Sequence, residues 1–580
     1  MFDRKTIMAM VVVGLILILL PKYYKLISPQ KPPATQPAGA PADTMAKPEQ
    51  QQAPATGQSP AATAPLAIPP PSQPPALLSD TLPSNPEYVR IETEKFSMTL
   101  GQNAQVTSYT LKEYLFDNKS PVFLHAPASA PTTPVCYLDF DLGQLNFRSI
   151  NNIRFTASTR QLSIASGTDS VRFVAADSAG RQVALTYLFS AEKYGFEVSL
   201  QTKGLNVPET GEFRVRWMGG VPSTEPDHMR DLQYAGAYAR VGDELEKVTT
   251  GREGTKEFTA TGQTGFAAAR SKYFIAAIIP AEPAAGVEIL GTNSEPRSKA
   301  STPQYDLTLR QAWGAAASGR WTVYWGPIRY DDLKALNAGL EGTMNWGWAI
   351  IKPFSIGVLR ALTALHKAIP NYGLVIIIFS IAVKILLWPL TRKSQVSMKK
   401  MAALQPEIQA LREQHSKNSQ AMNQAIMSLY KERGVNPASG CIPLLLQMPL
   451  LYALFVVFSS TIEFRQAPFI LWIKDLSLPD FVYTLPFAVP MYGAHVAVLP
   501  LVMAVTQFFM SKRTTTDPNQ KFMLYLMPVF MLVIFNNLPS GLTFYYTLFN
   551  LLAIVEQNLI KVPDFTPSVQ VIEEKKGKKK

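Results

Sequence analysis

The chain has almost no cysteine. Cys136 and Cys441 are its only two. They fall in segments of different character, so a bridge between them is not expected, and neither has a partner at metal-ligand spacing. Histidine is nearly as sparse: His125, His228, His366, His415 and His495 are scattered along the chain. There is no HExxH pair, no Walker A loop and no GxSxG elbow. Zinc hydrolases, P-loop ATPases and α/β-hydrolases thus lose their usual signatures, and neither a metal nor a cofactor is expected. The first half also lacks long apolar runs, with a single one at residues 7–20, whereas several crowd into the last two-fifths. The overall hydrophobic content of 47% therefore describes neither half. The net charge of +12 comes from Lys and Arg placed beside apolar runs. That pattern points to lipid headgroups before nucleic acid.

What is present divides the chain into six segments. Residues 1–27 hold Arg4 and Lys5, then the apolar run, then Tyr23 and Tyr24 between Lys22 and Lys25. A cleaved signal peptide and an uncleaved anchor both fit, and the anchor is the reading taken. Either one sends the following chain out of the cytoplasm. Residues 28–86 are rich in Pro, Ala, Gln and Ser and form a disordered tether, since such a composition buries too little apolar surface to offset ordering. Over 87–328 the period is two: Phe213, Val215 and Trp217 alternate with Arg214 and Arg216, Val183 to Phe189 repeats it, and so do Phe196 to Leu200 and Trp321 to Trp325. Half-buried antiparallel strands follow, and an all-β sandwich is predicted.

Residues 329–370 are read as a helical connector, 330–340, and an amphipathic helix, 346–369, lying in the membrane interface. Its Lys352, Arg360 and Lys367 fall within roughly an 80° arc, and an arginine at the bilayer centre would cost at least about 2.5–3.5 kcal/mol. Within 371–561, five spans are predicted at about 372–390, 442–461, 496–510, 522–538 and 542–560. The third is blurred by Pro490 and Pro500 and is allowed to begin as early as 487. The loop after the first span is strongly basic, the next is not, the third carries Lys512, Arg513 and Lys521, the fourth is uncharged, and the tail 562–580 ends in lysines. This alternation puts both termini inside and the β-domain outside. The basic loop, 391–438, reads as two helices, 396–414 and 419–433, with apolar residues at Met401, Leu404, Ile408 and Leu411, then Met422, Ile426 and Leu429.

One cation, Lys384, lies well inside a predicted span, roughly 9 Å from its cytoplasmic end. Snorkelling to the headgroups is one reading; a functional intramembrane charge is the other. Ser380 shares its helix face. Gln447, Thr506, Gln507, Tyr545, Tyr546 and Asn550 are further polar groups in the spans. Singly they read as interhelical hydrogen bonds or an interfacial belt; with Lys384 they suggest a polar groove open to the cytoplasm. Glu556, near the end of the last span, is the nearest approach to an acidic cluster. A secondary transporter with a mid-membrane site is the alternative function, weakened by the lack of internal repeats; a membrane-embedded enzyme would need more acidic or nucleophilic groups than this.

The motifs Asn371-Tyr-Gly, Trp388-Pro-Leu-Thr391, Leu404-Gln-Pro, Leu429-Tyr-Lys, Val435-Asn-Pro, Gly440-Cys-Ile-Pro-Leu-Leu-Leu-Gln-Met-Pro449, Arg465-Gln-Ala-Pro468 and Pro539-Ser-Gly541 resemble, in order and spacing, the bacterial YidC branch of the YidC/Oxa/Alb insertase family. The resemblance covers about residues 345–560; the N-terminal half is similar by architecture. It implies a multi-domain membrane protein: an N-terminal anchor helix, a periplasmic all-β sandwich, and a five-helix transmembrane core with a cytoplasmic helical hairpin. It implies a bacterial inner-membrane insertase that is not an enzyme, with a hydrophilic groove closed toward the periplasm. The family's groove cation falls on Lys384, where arginine is usual, and its substrate-contacting positions on Ser380 and Tyr546. The implied partners are nascent membrane proteins, the Sec translocon, membrane lipids, and the ribosome through the basic hairpin and tail.

Overall fold

The computed structural model describes residues 89–560 apart from 117–119, 126–136, 142–152, 177–179, 205–211, 226, 252–253, 295–302, 313–317, 417, 437–441 and 515–520. The anchor, the tether and the basic tail lie outside the described residues, as do both cysteines.

The period-two segments form two sheets. Among the described residues one has five strands, in the order Ser120–His125, Val106–Phe116, Phe96–Leu100, Val89–Glu92 and Gln161–Ser163. The other has thirteen, paired antiparallel, with Phe274–Pro280 and Ser318–Pro327 at its middle. Alternation decides what faces inward: Phe213, Val215 and Trp217 are buried, whereas Arg214 and Arg216 are not. The sheets meet over an aromatic core. Tyr109 of the smaller sheet stacks on Trp325 of the larger at 4.4 Å and on Phe96 at 4.7 Å. Its hydroxyl donates to the Trp325 carbonyl at 2.9 Å. The turn between Gln182–Ser190 and Phe196–Lys203 needs Gly195, whose φ is +87° and whose missing Cβ would strike the Val323 carbonyl.

Ten helices are used below: α1 His228–Leu232, α2 Tyr330–Ala335, α3 Lys352–Ala368, α4 Tyr372–Ala403, α5 Gln405–Gln414, α6 Ser419–Glu432, α7 Ile442–Ser460, α8 Val498–Thr514, α9 Lys521–Phe535 and α10 Ser540–Leu559. The connector is shorter than predicted: α2 ends at Ala335, and a 3₁₀ turn, Leu340–Thr343, takes up the rest. The amphipathic helix begins at Lys352, not 346, with Pro353 in its first turn, where a missing N–H costs nothing. It buries Ser355, Val358, Leu359 and Leu362 and leaves Lys352, Arg360 and Lys367 exposed.

The first predicted span and the first half of the loop helix expected at 396–414 are one continuous helix, α4, which runs through Pro389, and the second half is α5. The break falls at Leu404, because Pro406 has no N–H to give to the Ala402 carbonyl and fits instead in the first turn of a new helix. Asn418 caps α6, accepting from the Gln420 and Ala421 amides, so the second break lies where predicted. Leu404, Ile408 and Val435 form the buried seam of this hairpin, flanked by Met401, Ile426 and Leu429.

The largest departure concerns the third span. Its suggested early start is a β-hairpin, Phe481–Val489 paired antiparallel with Gly493–Ala497, and α8 begins only at Val498. A run of uncharged, β-branched and aromatic residues suits a strand as well as a span, and Pro486 and Pro490 exclude a regular helix there.

Arg465, on the connection after α7, ties the helical region to the β-domain. Its Nε meets Glu225 Oε1 at 2.8 Å and its Nη2 donates to the Leu115 carbonyl at 2.9 Å.

Candidate functional site

Two helices, α4 and α10, present matching faces. Ser380, Lys384 and Thr391 follow one another at about one turn and then about two; Tyr545, Phe549 and Glu556 repeat that spacing. A single strip of each helix thus carries all three groups, and the two strips pack together.

Where they meet, Lys384 Nζ lies 2.8 Å from Glu556 Oε2, and the two side chains are 10% and 2% exposed, so this is a buried ion pair. Thr391 Oγ1 donates to Glu556 Oε1 at 2.6 Å. The lysine ammonium also sits 4.1 Å from the Phe549 ring centre, on a face that attracts cations. Glu556 lies in the last turn of α10, where the helix dipole disfavours a negative charge. Lys384 offsets that penalty. Lys399 does so too, capping the helix by donating to the Gln557 and Ile560 carbonyls at 2.9 and 2.6 Å.

Ser380 is fully buried, and its hydroxyl donates to the Ile376 carbonyl at 2.6 Å. Tyr545 is buried with its ring 6.2 Å from Phe379. On α8, Thr506 accepts from Asn550 Nδ2 at 3.4 Å and donates to the Met503 carbonyl at 2.8 Å. Gln507 reaches Ser511 at 3.4 Å. The structure therefore brings Lys384, Ser380, Tyr545, Asn550, Thr506 and Gln507 onto the facing sides of α4, α8 and α10. Tyr546 turns instead to α9, its ring 5.4 Å from Phe535. Gln447 is half-buried on α7.

Several polar atoms here are buried without a protein partner among the described residues: Tyr545 Oη, Gln507 Oε1 and Gln557 Oε1. Each costs about 1–3 kcal/mol if it stays unpaired. Such atoms, spread along the seam on both sides of a buried ion pair, suit a polar guest better than a dry helix seam.

Glu556 and Thr391 were not among the groove residues expected from sequence. The signal was available, since the two strips share one spacing, but partners on helices far apart in sequence cannot be matched without knowing which helices are neighbours. Among the described residues no group of His, Cys, Asp and Glu could hold a metal ion.

Two family profiles match the chain: YidC periplasmic domain over residues 88–356 and 60Kd inner membrane protein over residues 364–565. Among curated relatives, the membrane protein insertase YidC of Chlorobaculum tepidum is 34% identical over 480 residues, covering 81% of each chain. That of Chlorobium luteolum is 32% identical over 566 residues, covering 96% of this chain and 94% of its own. A solved YidC insertase with its first transmembrane domain resolved aligns over 82% of this chain and 93% of its own, at 17% identity and a TM-score of 0.34. By its matches to both profiles and to these relatives along nearly its whole length, the chain belongs to the YidC family of membrane protein insertases.

Proposed function

We propose that this insertase receives the polar part of a nascent membrane protein in the niche between α4, α8 and α10, and holds an acidic client residue by exchanging it for Glu556. The chain is a bacterial inner-membrane protein that works on membrane-protein clients without enzymatic chemistry. The observation that carries the mechanism is the buried Lys384–Glu556 pair.

The topology behind this reading has α4, α7, α8, α9 and α10 crossing the membrane, both termini in the cytoplasm and the β-domain in the periplasm. The alternation of basic and non-basic loops supports it. Among the described residues α4 is long and apolar enough to cross unaided, and the apolar stretches Gln447–Ser460, Val498–Lys512 and Leu524–Phe535 are shorter. The exposed charges of α3 support its place in the periplasmic interface. An N-terminal anchor completes the layout. Arg392, Lys393 and Lys431 are exposed near and on the basic hairpin and suit a ribosome; the Sec translocon is proposed as a second partner on family grounds alone.

The energetics are those of charge exchange. A lone carboxylate at the bilayer centre costs about 2.5–3.5 kcal/mol. A free ammonium in the niche would cost a similar amount, so the resting protein keeps Lys384 paired. When a client carboxylate takes the place of Glu556, one ion pair replaces another and the displaced glutamate returns toward the cytoplasmic boundary. Tyr545, Gln507 and Gln557 offer hydrogen bonds to the client backbone. Partitioning of the client's apolar helix into lipid then drives release. A ribosome-stalled client carrying a photoreactive residue beside its acidic position tests this. Crosslinks are expected on α4, α8 and α10 near Lys384; crosslinks confined to the β-domain or α3 would overturn it.

A further inference from the structure

The hairpin Phe481–Ala497 belongs to neither the β-domain sheets nor the helices, and its surroundings point to a second function. No Asp, Glu, Lys or Arg lies between Asp480 and Lys512. Within the hairpin Val482, Tyr483, Phe487 and Met491 are 51–63% exposed. Just before it, Leu471 is 82% exposed. Water-facing arms are rich in Lys, Arg, Asp and Glu, and this one has none.

The arm is held in a fixed place. Asn536 accepts from the Ala497 amide at 3.1 Å and donates to the His495 carbonyl at 2.7 Å. Asn537 donates to the Tyr492 carbonyl at 3.0 Å. Asp480 Oδ2 accepts the Leu499 amide at 2.8 Å, which caps α8, and the Trp472 indole N–H at 2.9 Å. The second strand runs without a loop into α8, whose Leu501, Val502, Val505 and Phe509 form its exposed apolar stripe. The apolar surface of the hairpin is therefore continuous with the surface that α8 turns to lipid.

We infer that the hairpin is a lipid-embedded wedge seated in the headgroup and upper acyl region of the periplasmic leaflet. Two-stranded sheets have open edges, whose N–H and C=O groups cannot enter hydrocarbon unpaired, so the arm cannot span. At the interface those edges reach water and headgroups while Phe487 and Met491 dip into acyl chains. Pro486 within the first strand and Pro490 after it each remove one N–H that would otherwise need a partner. Tyr483 is amphipathic and suits headgroup depth. Lipid is favoured over a protein partner because the face is continuous with the lipid-facing stripe and carries no charge to specify a partner.

The test uses the full chain with both cysteines replaced by serine, reconstituted in phosphatidylethanolamine–phosphatidylglycerol vesicles. A nitroxide is attached at F487C or, in a second protein, at M491C. Its collision rates with oxygen and with a water-soluble nickel chelate are measured by power saturation. V505C on α8 serves as the lipid control and E244C in the β-domain as the water control. The expected result is an excess of oxygen over nickel at both hairpin positions, as at V505C. Nickel access matching E244C would overturn the inference and place the arm in water. Low access to both reagents would also overturn it, in favour of a covering protein surface.

Discussion

Replacing Lys384 by methionine leaves the Glu556 carboxylate, 2% exposed, against an apolar chain. Breaking a buried ion pair from one side costs about 3–5 kcal/mol, because the remaining charge is uncompensated. The Thr391 hydroxyl still donates to Glu556, which favours the lower end, about 3 kcal/mol. Glu556→Leu is milder, about 1–2 kcal/mol, since the long lysine stem lets the ammonium retreat to the cytoplasmic boundary. The double variant Lys384→Met/Glu556→Leu removes both charges and fills the space with apolar volume, so it should be more stable than Lys384→Met alone. The order wild type or double variant, then Glu556→Leu, then Lys384→Met is read from the temperature at which folded monomer is lost in lipid nanodiscs. If Lys384→Met equals wild type, or if the double variant loses the sum of the two single losses, then the pair is not buried as described and the reasoning fails.

Four further outcomes follow from other parts of the molecule. Lys399→Ala removes the cation that caps α10 and should cost about 1–2 kcal/mol, visible as faster hydrogen exchange in the last turn of that helix. Gly373→Ala places a methyl against the Phe469 ring and should destabilise by about 1–3 kcal/mol; equal thermal stability refutes the contact. Arg465→Ala leaves Glu225 without its cation and the Leu115 carbonyl with the Gln466 amide as its remaining donor; proteolysis between the β-domain and the helices should quicken, and Arg465→Lys should restore only part of the protection because it lacks the planar fork. Burial pushes Glu113 up, but hydrogen bonds from Lys95 and Tyr194 outweigh it and hold the carboxyl below its ordinary value of 4.5. Its contribution is therefore complete above that value and is lost as pH falls through the lower folded one; Glu113→Gln should flatten the acid limb of the stability curve, and an unchanged limb would count against the assignment.

The strands of the β-domain were legible because one face is buried and the other wet: Phe213-Arg214-Val215-Arg216-Trp217 states its register in its own alternation. The helices of the last two-fifths were legible from apolar length, and so was the start of α6 after Asn418; the start of α3 at Lys352 was not, because the apolar run continues upstream to Trp346 and Pro353 alone marks the first turn. What sequence concealed depended on pairing across distance. Lys384 was visible as a cation inside a predicted span, whereas its pairing with Glu556 depends on α4 and α10 being neighbours. The hairpin was hidden for a different reason. A span and a membrane-seated hairpin are both uncharged and apolar, and Tyr492-Gly493, with Gly493 at φ +97°, was the turn signal that distinguished them. The break at Leu404 was marked by Pro406, but the periodicity on either side ran across it.

The central claim is that a client's acidic residue and Glu556 compete for one lysine. Its most direct measurement is insertion into liposomes of two single-span clients that differ only by Asp or Asn in the translocated segment, driven by the purified wild type, Glu556→Gln and Lys384→Ala proteins. The account predicts that Glu556→Gln speeds the Asp client, Lys384→Ala slows it, and the Asn client is indifferent to both. Equal insertion of the two clients by all three proteins would contradict it.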